Sequence, residues 1–136
     1  MNQSESKKLK AIIVDDEELA RQGLSMRIEQ YEDLEIVAEC RNGKEAIAAI
    51  IEHEPDVVFL DIQMPGMTGF EVINEVQGDV MPMIIFVTAY DAFAVAAFKV
   101  HAIDYLLKPV EVEGLARAID RAKQQKEQKV AIPEKQ

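Results

Sequence analysis

Apolar residues follow two rhythms along this chain. Unbroken runs at 11–14 (Ala-Ile-Ile-Val), 57–60 (Val-Val-Phe-Leu), 83–87 (Met-Ile-Ile-Phe-Val) and 105–107 (Tyr-Leu-Leu) alternate with stretches in which apolar side chains recur every three or four positions. Runs without polar alternation predict strands buried on both faces, as in parallel sheets. A further strand is predicted at 35–40 around Ile36-Val37-Ala38, and the last one extends over 104–107. Between the strands, Ala20, Leu24, Ile28 and Tyr31 predict a first helix. A second starts after Asn42-Gly43, carries Ala46, Ile47, Ile50 and Ile51 on one stripe, and stops before Pro55. Phe70, Val72, Ile73 and Val76 mark a third, and Asp91 is the expected N-cap of a fourth. Val112, Leu115, Ala116 and Ile119 are expected to share the inner face of the last.

Five strand–helix units imply an α/β sandwich with right-handed crossovers, and five strands favour the flavodoxin-like order 2-1-3-4-5. Residues 1–8 read as a disordered lead, 9–126 as the domain and 127–136 as a linker or tail, the ending Ile132-Pro133-Glu134-Lys135-Gln136 resembling an interdomain linker. With 136 residues, 49% of them apolar, one domain with a sizeable core is expected. A formal net charge of -10 argues against direct contact with nucleic acid or an anionic membrane, since both bind basic surfaces. Cys40 stands alone, so no internal disulfide is possible and a core role in a reducing compartment is expected. Without an apolar leader or a membrane-length run, the expected location is the cytoplasm.

Chemistry concentrates where strands end. Asp15 and Asp16 follow the first strand, Asp61 the third, Thr88 closes the fourth and Lys108 the fifth. In parallel sheets, ligands bind beyond the carboxyl ends of the strands, so these residues are expected to meet. Clustered carboxylates repel unless a cation sits among them, and oxygen donors suit a hard divalent ion, so the cluster predicts a magnesium site. A carboxylate at Asp61 can attack phosphorus to form an acyl phosphate, with the Thr88 hydroxyl and Lys108 ammonium as donors to the phosphoryl oxygens. Any one of these residues alone reads as a cap, a turn or a solvated charge; together they are specific.

Val14-Asp15-Asp16, the stretch from Leu60-Asp61-Ile62-Gln63-Met64-Pro65-Gly66 to Gly69, Val87-Thr88-Ala89 and Tyr105-Leu106-Leu107-Lys108-Pro109 together resemble the receiver domain of bacterial two-component response regulators. That resemblance implies Asp61 as phosphoacceptor and a sensor histidine kinase as partner. It implies magnesium held by Asp16, Asp61 and the backbone carbonyl of Gln63, with Asp15 assisting through water. Thr88 and Lys108 would hold the phosphoryl group, Thr88 and Tyr105 would form the switch, and the Lys108-Pro109 bond would be cis. Such a domain is a signalling module, not an enzyme beyond its own phosphorylation and dephosphorylation. Residues 88–109 resemble in particular the receivers attached to LytTR-type DNA-binding domains, which would carry the transcriptional output. The alternative is a stand-alone receiver that acts as an interaction module. A haloacid-dehalogenase-type phosphatase would need Asp-x-Asp-x-Thr after the first strand, which Asp15-Asp16-Glu17-Glu18-Leu19 does not match. A flavin module would need a phosphate loop where this chain is acidic. Tyr90 and Gln63, each two residues beyond a site residue, are expected to tune dephosphorylation. Residues 92–98 are apolar at every position, whereas a helix covering one face of a sheet should show water a polar side, so a phosphorylation-promoted homodimer through the fourth helix, fifth strand and fifth helix is expected, with Asp104 and Arg117 as complementary charges. The competing expectation is a low-relief alanine surface with Phe93 and Phe98 both turned inward.

Overall fold

Because the apolar runs need cover on both faces, the strands form the middle layer. The structure is a computed structural model and describes residues 8–76, 78 and 81–131, with side chains through 128. Strands β1 (Leu9–Val14), β2 (Leu34–Cys40), β3 (Val57–Leu60), β4 (Met83–Thr88) and β5 (Asp104–Leu107) build one sheet in the order β2-β1-β3-β4-β5. Every pairing is parallel, so the fold and strand order are those predicted. Helices α1 (Glu18–Ile28), α2 (Gly43–His53), α3 (Gly69–Glu75), α4 (Ala94–Lys99) and α5 (Val112–Ala131) connect or follow the strands.

Successive strand residues serve opposite layers, as the pleat requires. Ala11, Ile13, Val57, Phe59 and Ile85 pack with Leu24 and Ile28 of α1 and Leu115 and Ile119 of α5. Ile12, Val14, Val58, Leu60 and Phe86 pack with Ala46 and Ile50 of α2, Val72 and Ile73 of α3, and Ala97 of α4. Each of the valine, leucine, isoleucine and phenylalanine side chains among them, once buried, contributes about 1.5–3 kcal/mol of transfer free energy.

Four local expectations are corrected. On α2 the buried stripe is Ala46, Ala49 and Ile50, while Ile51 is 68% exposed, because one residue's step of about 100° carries it off the stripe. The same rotation puts Ala118 and Ala122 with Leu115 and Ile119 on the inner face of α5, and leaves Val112 and Ala116 outside. Tyr31 lies beyond the end of α1, its N–H bonded to the Ile28 carbonyl, yet still packs against the core. Helix α4 starts at Ala94 with Phe93 in the cap position and no side-chain cap, so Asp91 lies in the preceding turn. At the end of the chain α5 continues through Ala131, five residues into the stretch expected as linker; the rest of that stretch and lead residues 1–7 lie outside the described residues.

Candidate functional site

The register of β1 on β3 pairs Val14 with Leu60, so the residues that follow them, Asp15 and Asp61, emerge side by side. Backbone bonds fix both: the Asp61 N–H donates to the Val14 carbonyl at 3.0 Å and the Asp15 N–H to the Cys40 carbonyl at 3.0 Å. On the other flank, the Lys108 N–H donates to the Thr88 carbonyl at 2.8 Å, which anchors the end of β5 to the end of β4. Asp15 and Asp61 are buried and Asp16 is exposed.

Lys108 reaches back across this edge. Its Nζ lies 2.8 Å from Asp15 Oδ2, 3.2 Å from Asp61 Oδ2 and 3.5 Å from Glu17 Oε1. The Lys108-Pro109 peptide is cis. Thr88 is fully buried, and its Oγ1 accepts from the Tyr90 N–H at 3.4 Å. Tyr105 leans on Phe86, ring centroids 6.2 Å apart, and its hydroxyl donates to the Tyr90 carbonyl. Gln63 is exposed in the loop after β3.

That loop is built to hold Asp61. Gly66 turns the chain at φ 87°, a left-handed conformation that favours glycine. Thr68 then caps α3: its Oγ1 accepts from the Glu71 N–H at 3.2 Å while Glu71 Oε1 accepts from the Thr68 N–H at 2.9 Å. Gly69 closes the loop by donating to the Ile62 carbonyl at 2.9 Å, so close that a Cβ there would lie 2.6 Å from the Asp61 carbonyl oxygen.

Burial raises the Asp61 pKa; the Lys108 charge opposes this, the Asp15 charge adds to it, and the net direction is upward. For Lys108 burial acts downward, but the hydrogen bond to Asp15 and the charges of Asp61 and Asp15 outweigh it and the ammonium form is favoured. Asp15, Asp16 and Asp61 can each offer an oxygen within 4.8 Å of the others. Three carboxylates against one ammonium leave negative charge in excess, and an all-oxygen donor set fits a small hard divalent cation.

Sequence reasoning brought Asp15, Asp16, Asp61 and Lys108 to this edge, and the structure brings them together. It passed over Glu17, which contacts Lys108, and Arg21, whose Nη1 donates to the Asp15 carbonyl at 2.7 Å. It also passed over Leu19, 82% exposed on the first turn of α1. A large apolar residue directly after four consecutive acids was the available signal. A cleft of about 270 Å³ lies beside it, lined among others by Asp15, Leu19, Gly23, Lys108 and Pro109.

A parallel five-stranded α/β domain with acids and a lysine converging at the carboxyl edge has the architecture of a signal-receiver domain. The chain belongs to the response regulator receiver domain family, whose model matches residues 11–120. It is 52% identical to an uncharacterized response regulatory protein of Yersinia pestis over 83% of this chain and 48% of that protein. It is 45% identical to the transcriptional regulatory protein BtsR of Salmonella typhi over 94% of this chain and 54% of that protein. The chain thus spans about half the length of these curated relatives. Among solved structures, the receiver domain of AraT from Geobacillus stearothermophilus superposes with a TM-score of 0.81 at 33% identity, covering 90% of this chain and 98% of that one. The response regulatory domain of mrkE from Klebsiella pneumoniae gives 0.82 at 34%, covering 88% and 99%. Among the described residues no helix is long and apolar enough to cross a membrane.

Proposed function

We propose that Asp61 accepts a phosphoryl group from a phosphohistidine of a sensor kinase, and that the domain passes this event to a transcriptional output. The observation that carries the reading is Lys108 Nζ held between Asp15 and Asp61 at 2.8 and 3.2 Å. In the transfer, an Asp61 carboxylate oxygen forms a bond to phosphorus as the histidine N–P bond breaks, and the imidazole leaves with the electron pair and takes a proton from solvent. Asp16, Asp61 and Asp15, with the Gln63 carbonyl, would hold magnesium, which when bound supplies positive charge against the phosphoryl oxygens. Lys108 then trades a carboxylate for a phosphoryl oxygen, and the Thr88 hydroxyl, released from its long contact with the Tyr90 N–H, donates to another. Tyr105, already bonded to the Tyr90 carbonyl, lies where a movement of Thr88 is felt.

The exposed stripe Leu19, Gly23 and Met26 on α1, next to the cleft, offers the kinase an apolar docking ridge beside the reacting carboxylate. An output through a LytTR-type DNA-binding domain would belong to the other half of a protein as long as the relatives named transcriptional regulators. The domain turns over no substrate beyond its own acyl phosphate, whose lifetime Tyr90 and Gln63 would set by screening or admitting water. Intact-mass measurement after incubation with magnesium and acetyl phosphate tests the central claim: one added phosphoryl group is expected. Undiminished addition in Asp61→Asn would refute it.

A further inference from the structure

Arg21 is a charged side chain that the mechanism above leaves unused, although it is bonded to Asp15 of the acid cluster. Its side chain is 13% exposed, and it projects from the first turn of α1, where its own N–H bonds the Glu17 carbonyl at 3.0 Å. Its Nη1 donates to the Asp15 carbonyl at 2.7 Å, a charge-assisted bond. Its Nε lies 3.8 Å from Glu39 Oε1 on β2, too far for a tight pair but near enough to orient the guanidinium. Every polar group of Asp15 is thereby occupied: N–H to Cys40, carbonyl to Arg21, Oδ1 to the Glu17 N–H at 2.9 Å, and Oδ2 to Lys108 at 2.8 Å.

The Asp15 carbonyl is one end of the Asp15–Asp16 peptide plane. Rotating that plane swings the Asp16 carboxylate relative to Asp61, because β1 has ended and no strand pairing constrains the bond. We infer that Arg21 is a positioning residue: by gripping the Asp15 carbonyl it fixes the Asp15–Asp16 peptide, and so holds the carboxylates at the spacing a small, geometrically exacting cation requires. This rests on the reading of the acid cluster as a magnesium site. Magnesium demands near-ideal octahedral geometry at short distances, whereas calcium accepts irregular arrangements, so the clamp selects between the two ions as well as adding affinity.

The sign of the effect separates positioning from charge. If Arg21 acted only through its charge, removing it would relieve repulsion and tighten every cation; if it positions, removing it weakens magnesium first. Amide NMR titrations of the protein with magnesium chloride and with calcium chloride, on wild type, Arg21→Met, Arg21→Lys and Asp61→Asn, read this directly. Arg21→Met keeps an apolar stem of similar length; it should lose about tenfold in magnesium affinity, the low end of the effect of supporting residues behind metal ligands, and much less for calcium. Arg21→Lys retains one donor and should recover part of the loss. Should Arg21→Met fail to fold, Arg21→Gln, too short to reach the carbonyl, serves in its place with the same expectation. Magnesium affinity unchanged or increased in the folded Met or Gln variant overturns the inference while leaving the metal site intact. A wild type without magnesium response, or Asp61→Asn with a full one, fails the site reading and the inference together.

Discussion

At the scale of single residues, the site is a set of compromises among buried charges. Asp61 has its pKa raised by burial first, with Lys108 offsetting only part, so its ionised form costs stability in the metal-free protein. A raised folded-state carboxyl pKa contributes stability that is present below the unfolded pKa and lost as pH rises through the folded one. Asp61→Asn, neutral and of the same shape, is therefore expected to melt higher than wild type at pH 7 in a chelator, and the gap should close on acidification towards the unfolded carboxyl pKa. Equal melting at pH 7 would contradict that electrostatic account. Two glycines give a paired test of backbone approach. Gly69→Ala would put a methyl 2.6 Å from the Asp61 carbonyl oxygen, where backbone cannot yield, whereas Gly23 on α1 has open space around its Cβ position. Overpacking predicts a loss of about 1–3 kcal/mol for Gly69→Ala together with impaired phosphorylation, and helix propensity predicts a gain of about 0.5–1 kcal/mol for Gly23→Ala. Urea unfolding of both variants checks the contrast. The acids and Lys108 were legible because strand-end position follows from an unbroken apolar run. Arg21 and Glu17 were not, because their roles depend on where the first turn of α1 aims its side chains, which no run of residues encodes.

At the scale of elements, strand runs were read closely and helix faces less so. Val57–Leu60 and Asp104–Leu107 match their predicted limits; the first is buried at all its positions and so has no polar position to blur its ends, while the second is an edge strand that begins at Asp104. Helix faces depend on a rotation of about 100° per residue, and in Ile50-Ile51 and Leu115-Ala116 two adjacent apolar residues compete for one stripe. Packing, not pattern, decides between them: Ile50 and Leu115 are buried, Ile51 and Ala116 are not. Capping was also uneven. Asn42 accepts from the Glu45 N–H at 2.9 Å and marks α2 as the sequence suggested, but Asp91 caps nothing. Helix α3 has only seven residues, too few to be stable by propensity, so its reciprocal Thr68–Glu71 cap carries unusual weight. Thr68→Ala is expected to cost about 1 kcal/mol in urea unfolding and to loosen the loop that follows Asp61. A loss below a few tenths would mean that packing of Val72 and Ile73 alone secures the helix.

At the scale of the whole molecule, the fourth helix sets the question of assembly. Phe93 turns towards Phe70, ring centroids 6.2 Å apart, while Phe98 is 81% and Val95 68% exposed, so one phenylalanine joins the core and the other does not. The low-relief alternative, with both rings inward, fails at Phe98. Charges beside this face are already satisfied within the chain: Asp104 receives Arg117 Nε at 2.9 Å and Arg121 Nη1 at 3.2 Å. A dimer through α4, β5 and α5 would therefore draw its driving force from Val95 and Phe98, with the Asp104 pairs merely rearranged at little net gain, since exposed ion pairs contribute about 0–1 kcal/mol. Two side chains per subunit amount to a weak interface, so association is expected only when the phosphorylated state is favoured and at high protein concentration. Sedimentation equilibrium with magnesium and beryllofluoride should show dimer formation that Phe98→Asp abolishes and Arg117→Ala leaves largely intact. A monomer throughout the concentration range would reject the dimer, and abolition by Arg117→Ala alone would transfer the driving force from the apolar face to the charges.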